Sequence, residues 1–188
     1  MIIAITGCIG SGKSYILRKI NEIYGYDIYS SDEIVKQSYF DDTIKSKLDE
    51  HFKCIVNNQV DKSIIKSKLT SENVNVLNSI IHPYVINKIK EIKENSKNEL
   101  VFIEVPLLYE SKMEIFFDYV IAVSVDDNLR RNRLKNRDEK SYLEMVKLEK
   151  YQLSNEEKCK NADFIIHSSV DDADNLSQLD KIIKKIIN

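Results

Sequence analysis

Short apolar runs alternate with longer amphipathic segments along this chain of 188 residues. Residues 2–6, IIAIT, form a β-branched run without polar alternation, which is typical of a strand buried on both faces of a parallel sheet. Residues 13–24 place apolar side chains at helical spacing, and Gly25 follows as a C-terminal stop. Four further strand-like runs follow, at residues 26–30, 100–105, 119–125 and 162–168.

This alternation predicts an α/β fold in which five strands form one open parallel sheet that binds ligands at the C-terminal strand ends. Residues 33–97 are mostly helical in pattern and too long for a single crossover, so we expect an inserted substrate-binding subdomain there. Residues 126–160 are highly charged, lack a strand signal and predict a helical lid. The nucleotide-binding core is then expected to comprise residues 1–32, 98–125 and 161–188.

The amino-acid composition of the chain excludes several classes of protein. With 43% hydrophobic and 31% charged residues the chain is able to fold and stay soluble, which excludes wholesale disorder. A net charge of −2 argues against a protein that mainly coats nucleic acid or an anionic membrane. The chain lacks a long apolar run or a signal-peptide pattern, so we expect a cytoplasmic protein. The spacing of its three cysteines suggests neither a disulfide framework nor a zinc site.

Three of the four glycines fall within six residues, in the segment GCIGSGKS at 7–14. This segment fits G-x-x-x-x-G-K-[ST], the phosphate-binding loop, and lies between a predicted strand and a predicted helix as that motif requires. Backbone N–H groups and the helix N-terminus would bind polyphosphate, Lys13 would reach the β- and γ-phosphates, and the Ser14 hydroxyl would ligate Mg²⁺. We therefore expect ATP and Mg²⁺ as cofactors; the alternative is a glycine-rich turn without a ligand.

Two carboxylates follow strands at the same predicted edge of the sheet. Glu104 ends the third apolar strand, where it could hold a magnesium-bound water or serve only a structural role. Asp32 lies just past the second strand, where it could accept the proton of an acceptor hydroxyl or orient that hydroxyl. The alternative for Asp32 is an N-cap of the following helix.

The basic residues favour a kinase over other phosphate-loop proteins. A GTPase switch is excluded because its D-x-x-G motif needs a glycine, and none follows Gly25. Four of the five arginines lie within eight residues of an otherwise lysine-rich chain, which suggests bidentate phosphate contacts; the alternative is a solvated helix face. These four are Arg130, Arg131, Arg133 and Arg137.

The order of motifs along the whole chain resembles the dephospho-coenzyme A kinase family. The motifs are ITGCIGSGKS, YDIYSSDEIVK, IIHPYV, EVPLLYE and RLKNRD, followed by Gln152, EEK at 156–158 and ADFII. The resemblance implies a three-layer α/β/α phosphate-loop fold with a helical CoA-binding insertion and a lid that closes over ATP. It also implies ATP-dependent phosphorylation of the ribose 3′-hydroxyl of dephospho-CoA, the last step of CoA biosynthesis, which gives CoA and ADP.

The resemblance assigns roles to individual residues. The catalytic residues implied are Asp32, Lys13 and Arg137. The ATP-binding residues implied are Gly7, Cys8, Ile9, Gly10, Ser11, Gly12, Lys13, Ser14, Tyr15, Arg133 and Arg137. The residues implied to bind dephospho-CoA are Asp32, Lys62, His82 and Leu107. We expect a monomer or small homo-oligomer without nucleic-acid or membrane partners.

The chain departs from the family pattern at several positions. Ser30 replaces the first Asp of the D-A-D motif, Lys62 stands where Arg is common, and residues 167–170 replace a D-N-x-G loop. Cys8 replaces a glycine beside an anion site, where we expect a lowered thiol pKa and oxidation that blocks ATP. Two rival functions remain: a phosphate-loop kinase for a nucleoside or nucleotide, and a nucleotide-dependent module that binds RNA or protein through its arginines.

Overall fold

The computed structural model of this chain describes residues 1–70, 72–137, 142–143, 147, 149 and 152–188. Within them the chain forms two compact units. Residues 1–29 and 96–188 make up the sheet unit, and residues 30–95 make up the helical unit, where the sequence suggested an insertion at 33–97. Most of the positions from 138 to 151, in the expected lid, lie outside the described residues.

The secondary structure contains the predicted strands and the predicted first helix. In chain order the described elements are β1 (Ile2–Thr6), α1 (Lys13–Tyr24), β2 (Asp27–Ser30), α2 (Ser31–Ser38), α3 (Asp42–Phe52), β3 (Ile55–Val56), β4 (Gln59–Val60), α4 (Lys62–Lys68), α5 (Val74–Asn95), β5 (Val101–Glu104), a 3₁₀ turn (Glu114–Phe116), β6 (Tyr119–Val125), α6 (Asp127–Arg137), α7 (Asn155–Asn161), β7 (Phe164–Ser168) and α8 (Asp172–Ile187). No helix in the described part of the chain is long and apolar enough to cross a membrane.

A five-stranded parallel sheet flanked by helices forms the sheet unit, as the sequence predicted. Its strand order is β2-β5-β1-β6-β7, so β1 lies at the centre. In the parallel register Ile5 of β1 is level with Glu104 of β5 on one side and with Ile121 of β6 on the other. Strands β1 and β5 therefore end where the segment 7–14 begins, while β6 continues to Val125.

Strand β1 is buried on both faces. Ile3 and Ile5 pack into a core formed with α1 and α8, while Ile2 and Ala4 on the opposite face are also fully buried. The side chains of α1 that enter this core, Ile16, Leu17 and Ile20, lie on one face of the helix, because Ile20 follows the other two by one helical turn. This burial explains why the run 2–6 carries no polar alternation.

Helix α1 begins and ends at glycines, as its sequence pattern predicted. Gly12 is the N-cap residue with φ of 101°, and Gly25 is the C-cap residue with φ of 69°. The Gly25 N–H donates to the Asn21 carbonyl at 3.0 Å, which satisfies one of the last carbonyls of the helix.

The helical unit consists of α2, α3, α4 and α5 together with the short hairpin β3–β4. Helices α2 and α3 both pack against α5, and α4 packs against α3. The hairpin pairs Ile55 with Val60 and turns at Asn57 and Asn58, whose φ values of 51° and 62° suit a two-residue hairpin turn. The sequence analysis did not predict this hairpin.

The chain leaves the sheet unit and re-enters it at neighbouring points. Ser96, the first residue after the helical unit, donates its hydroxyl to the Asp27 carboxylate at 2.9 Å. Asp27 is the first residue of β2, and Ser96 precedes β5, the strand beside it.

Two aspartates extend the hydrogen bonding of the sheet at its N-terminal edge. Asp163, just before β7, donates its N–H to the Val120 carbonyl at 3.0 Å and accepts from the Val120 N–H through its carboxylate at 2.8 Å. Asp118, just before β6, makes the same pair of bonds with Ile2, at 2.9 and 2.7 Å. Each carboxylate thus supplies an acceptor where the neighbouring strand has no further backbone partner.

We expect Asp163→Ala to lower the free energy of unfolding by about 1 kcal/mol, because the buried Val120 N–H loses its acceptor. Asp163→Asn keeps a side-chain oxygen that can accept this bond, so its loss should be smaller. Urea unfolding followed by circular dichroism measures both variants. Equal losses for the two variants, or no loss for Asp163→Ala, would contradict the role of this carboxylate.

Candidate active site

The backbone of the phosphate-binding loop requires glycine at its first position. Gly7 has φ of 147°, and a Cβ atom there would lie 2.5 Å from the Val123 carbonyl oxygen of β6. Both the conformation and this close approach exclude a larger side chain without displacement of the strand. Gly10 faces α6, where a Cβ atom would meet Leu134 at 2.8 Å. The shape of the loop therefore depends on β6 and α6 as well as on its own sequence.

The side chain of Lys13 points back into the phosphate-binding loop. Its side chain is buried, and Nζ donates to the carbonyl oxygens of Gly7 and Cys8, both at 3.0 Å. Nζ also lies 3.9 Å from Oε1 of Glu104. The ammonium group is thus held where the motif predicts contact with the terminal phosphates.

Ser14 and Glu104, the two residues predicted to hold Mg²⁺, are brought together by the fold. The Ser14 hydroxyl donates to Oε2 of Glu104 at 3.1 Å. A hydroxyl and a carboxylate are hard oxygen ligands, and Mg²⁺ is commonly held by one or two such protein groups with phosphates and waters completing its shell. The described residues contain no group of three or more His, Cys, Asp or Glu side chains able to hold a metal ion, which is compatible with that arrangement.

The polar groups that line the phosphate-binding loop are suited to bind a polyanion. Ser11 is fully buried, and its Oγ has no hydrogen-bond partner among the described residues. Gly12, as the cap residue of α1, has no side chain that could accept from the first N–H groups of the helix. Helix N–H groups at this position have no acceptor within the helix and carry a positive potential. A phosphate group would satisfy both kinds of donor.

Arg133 connects α6 to the phosphate loop and to the segment 167–170. Its Nη1 donates to the Ser168 hydroxyl at 3.0 Å and approaches the Ser11 carbonyl at 3.4 Å, while Nη2 donates to the Ser169 carbonyl at 2.8 Å. Burial lowers the pKa of Arg133. The altered segment 167–170 therefore holds a predicted ATP-binding arginine, and nothing in the sequence pattern indicated this contact.

Arg130 and Arg131 form ion pairs with carboxylates, which differs from the phosphate contacts expected for the arginine cluster. Arg130 is buried and bonds Asp127 at 2.6 Å and also Glu149, while Arg131 bonds Asp127 at 2.6 Å. The hydrogen bonds from Arg131 and Arg130 hold the pKa of Asp127 below its ordinary value. Arg137 ends α6, and its side chain lies outside the described part of the structure.

The expected lowering of the Cys8 pKa is wrong. Cys8 is buried, and burial raises the pKa of its thiol despite the positive charges of Lys158, Arg130 and Lys13 nearby. The loss of solvation of the thiolate therefore outweighs the attraction of the three cations. Sγ lies 3.9 Å from the Leu153 carbonyl, the distance of a weak S–H donor contact.

Three of the residues expected to act on the acceptor belong to the helical unit. Asp32 lies exposed in the first turn of α2, whose cap residue is Ser30, so the alternative that Asp32 caps this helix is wrong. Lys62 is the first residue of α4, and its Nζ lies 4.6 Å from the centroid of the Tyr39 ring. His82 is half-buried in α5, and burial lowers its pKa.

The remaining predicted site residues lie in the sheet unit. Leu107 follows β5 and is exposed, with 45% of its surface accessible. Ile9 is half-buried in the loop. Tyr15 is half-buried on α1, and its hydroxyl is a buried group without a hydrogen-bond partner among the described residues.

The family model and the curated relatives that match this chain are named dephospho-CoA kinase. Residues 1–174 match the family model described as dephospho-CoA kinase. A dephospho-CoA kinase from Fusobacterium nucleatum is 34% identical over 191 residues, which cover 99% of this chain and 95% of the relative. The solved structure of TT1252 from Thermus thermophilus has a TM-score of 0.88 and 26% identity, covering 100% of this chain and 98% of that one. A dephospho-CoA kinase structure from Campylobacter jejuni has a TM-score of 0.68 and 26% identity, covering 98% and 96%.

We expect iodoacetamide to modify Cys8 at least about tenfold more slowly in the folded chain than in urea, because thiolate is the reacting species and burial disfavours it. Mass spectrometry of peptides sampled over time gives the rate for this cysteine separately from Cys54 and Cys159. The urea-denatured protein is the control for intrinsic reactivity. A folded-state rate equal to or above the denatured rate would contradict the raised pKa.

Proposed function

The chain belongs to the dephospho-CoA kinase family, and from the geometry of its phosphate loop we propose how its residues carry out the reaction of that family. The enzyme transfers the γ-phosphoryl group of ATP to the ribose 3′-hydroxyl of dephospho-CoA, which gives CoA and ADP. The observation that supports the assignment most directly is the convergence of Lys13, Ser14 and Glu104 at one loop.

Lys13 carries positive charge to the transferring group. In the structure its ammonium group is bonded to two loop carbonyls, so binding of ATP exchanges these acceptors for phosphate oxygens. Charge-assisted bonds to phosphate are stronger than bonds to neutral carbonyls. The loop therefore holds the Lys13 ammonium group in place for phosphate binding, and the side chain needs no large movement when ATP binds.

Ser14 and Glu104 are the residues that would hold Mg²⁺, with Glu104 acting directly or through a water. A bound Mg²⁺ neutralises charge on the β- and γ-phosphate oxygens. The Ser14 hydroxyl, which now donates to Glu104, would turn its oxygen lone pairs toward the metal. Glu104 ends β5 and Ser14 lies in the first turn of α1, with 3.1 Å between the Ser14 hydroxyl and Oε2 of Glu104.

The helical unit is proposed to bind dephospho-CoA, with Lys62 and His82 contributing from it and Leu107 from the loop after β5. Asp32 accepts the proton of the 3′-hydroxyl or orients that group. Arg133 and Arg137 contact ATP from the lid, which we place at residues 126–160. Lid closure would exclude water that otherwise hydrolyses ATP. We propose a cytoplasmic monomer or small homo-oligomer that needs no nucleic-acid or membrane partner.

Formation of ADP by the purified protein tests this function. MgATP is supplied with dephospho-CoA, and in parallel with adenosine, AMP or shikimate. ADP that forms only with dephospho-CoA, together with CoA, is the expected result. Turnover with another acceptor would favour a different phosphate-loop kinase. ATP binding without ADP release from any acceptor would favour a nucleotide-dependent binding module.

We expect Glu104→Gln to raise the Mg²⁺ concentration for half-maximal rate about tenfold, because the neutral amide is a poorer ligand for a divalent cation. Steady-state rates over a range of Mg²⁺ at fixed ATP measure this change. The control is Glu22→Gln, which alters an exposed carboxylate on α1 that pairs with Arg18 and Lys19. An unchanged Mg²⁺ requirement for Glu104→Gln would remove Glu104 from the metal site.

We expect Asp32→Asn to lower kcat about a hundredfold, because general-base catalysis typically contributes that much or more, while ATP still binds. Turnover is measured with saturating dephospho-CoA, and ATP affinity by titration calorimetry. Glu33→Gln, at the adjacent exposed position on α2, is the matched control and should keep the wild-type rate. A near wild-type rate for Asp32→Asn would end its assignment as the base.

A further inference from the structure

Lys158 on α7 is a fully buried lysine, with 0% of its surface exposed. Its Nζ lies 2.9 Å from Oε1 of Glu110 and donates to the Pro106 carbonyl at 2.5 Å. The same Oε1 of Glu110 accepts from the Leu153 N–H at 2.8 Å. These contacts join the start of α7 to the loop that follows β5.

The pair lies where three segments of the site meet. Glu110 and Pro106 belong to the loop after β5, Leu153 immediately precedes the cap of α7, and Leu153 also faces Cys8 of the phosphate loop through its carbonyl. Glu104, the carboxylate predicted to hold Mg²⁺ through a water, lies two positions before Pro106. A movement of Lys158 would therefore displace the loop 105–111, which follows Glu104 directly.

The loop 105–111 is anchored at both ends of its exposed part. Val105, just after β5, is bonded to the sheet, since its N–H donates to the Ile5 carbonyl at 2.9 Å, and Leu108 is fully buried. Between them the Pro106 carbonyl is bound by Lys158, and Leu107 extends into solvent. The Ser111 hydroxyl closes the loop on the Leu107 carbonyl at 2.7 Å. Leu107 is thus exposed on a loop whose backbone is fixed on either side.

Stability alone does not account for a lysine in this position. Removal of an ammonium group from water is costly, and buried ion pairs are often replaced by apolar residues without loss of stability. What an apolar residue cannot do is bind the Pro106 carbonyl and the Glu110 carboxylate at the same time. The ammonium group with its three donors fixes the course of the loop in a way that packing alone would not.

We infer that Lys158 is a positioning residue for the acceptor: by binding the Pro106 carbonyl and Glu110, it fixes the loop 105–111 so that Leu107 is presented to dephospho-CoA. The inference rests on the proposed role of Leu107 in binding dephospho-CoA. It distinguishes the two substrates, because the bonds of Lys158 go to the loop 105–111, whereas ATP is proposed to be bound by the phosphate loop and Lys13, whose ammonium group bonds the carbonyls of Gly7 and Cys8. Loss of the lysine should therefore weaken use of the acceptor and leave use of ATP unchanged.

The test uses the double variant Lys158→Met/Glu110→Gln of the full chain. Methionine keeps the length of the side chain, and glutamine keeps an oxygen for the Leu153 N–H while removing the unpaired buried charge. Lys158→Met alone is made as well, but it leaves that charge and could fail to fold. Lys160→Met, at an exposed position of the same helix, is the matched control. Melting temperatures are recorded for all variants, and KM and kcat are measured for each substrate at saturation of the other.

We expect the double variant to raise the KM for dephospho-CoA about tenfold, the size of one lost hydrogen bond to a charged group, with the KM for ATP within about twofold of wild type. Lys160→Met should match wild type for both substrates. Unchanged KM values, or an equal rise for ATP and dephospho-CoA, in a double variant that melts like wild type would overturn the inference. A wild-type enzyme inactive with dephospho-CoA would instead overturn the function on which the inference rests.

Discussion

The parallel pairing of β1 with β5 is the constraint on which the site depends. It sets Glu104 level with Ile5, so the carboxylate lies at the start of the phosphate loop although about a hundred residues separate the two strands. The phosphate loop connects β1 to α1, and the Ser14 hydroxyl in the first turn of α1 lies within hydrogen-bond distance of Glu104. Local sequence shapes the loop, but the sheet register determines which carboxylate it meets.

The phosphate loop has a backbone conformation that requires glycine at some of its positions. Gly7 and Gly12 have positive φ values, and Gly7 lies against the backbone of β6. Lys13 is buried among carbonyl oxygens, so the positive charge is partly solvated by the protein before ATP arrives. Donors that are already in place require little rearrangement when the phosphates bind, and electrostatic catalysis depends on such preorganisation.

The sequence pattern predicted those features that depend on residues close together in the chain. The buried strand 2–6 and the helix 13–24 with its stop at Gly25 follow from apolar spacing and glycine, and the strand-end position of Glu104 predicted that it lies at the same edge of the sheet as the phosphate loop. The sequence could not show that burial outweighs three cations at Cys8, or that Arg130 is neutralised by carboxylates. Both outcomes depend on the depth of burial and on partners distant along the chain, which no local pattern contains.

The hydrogen bond between Ser96 and Asp27 has a consequence for how such a protein can diverge. Because the chain leaves and re-enters the sheet unit at neighbouring residues, residues 30–95 form an insertion between two adjacent points of that unit. Its length, composition and helix number can change in evolution without altering the order of the strands. The share of acceptor binding that we propose for this segment can then change independently of nucleotide binding, while the phosphate loop stays constant.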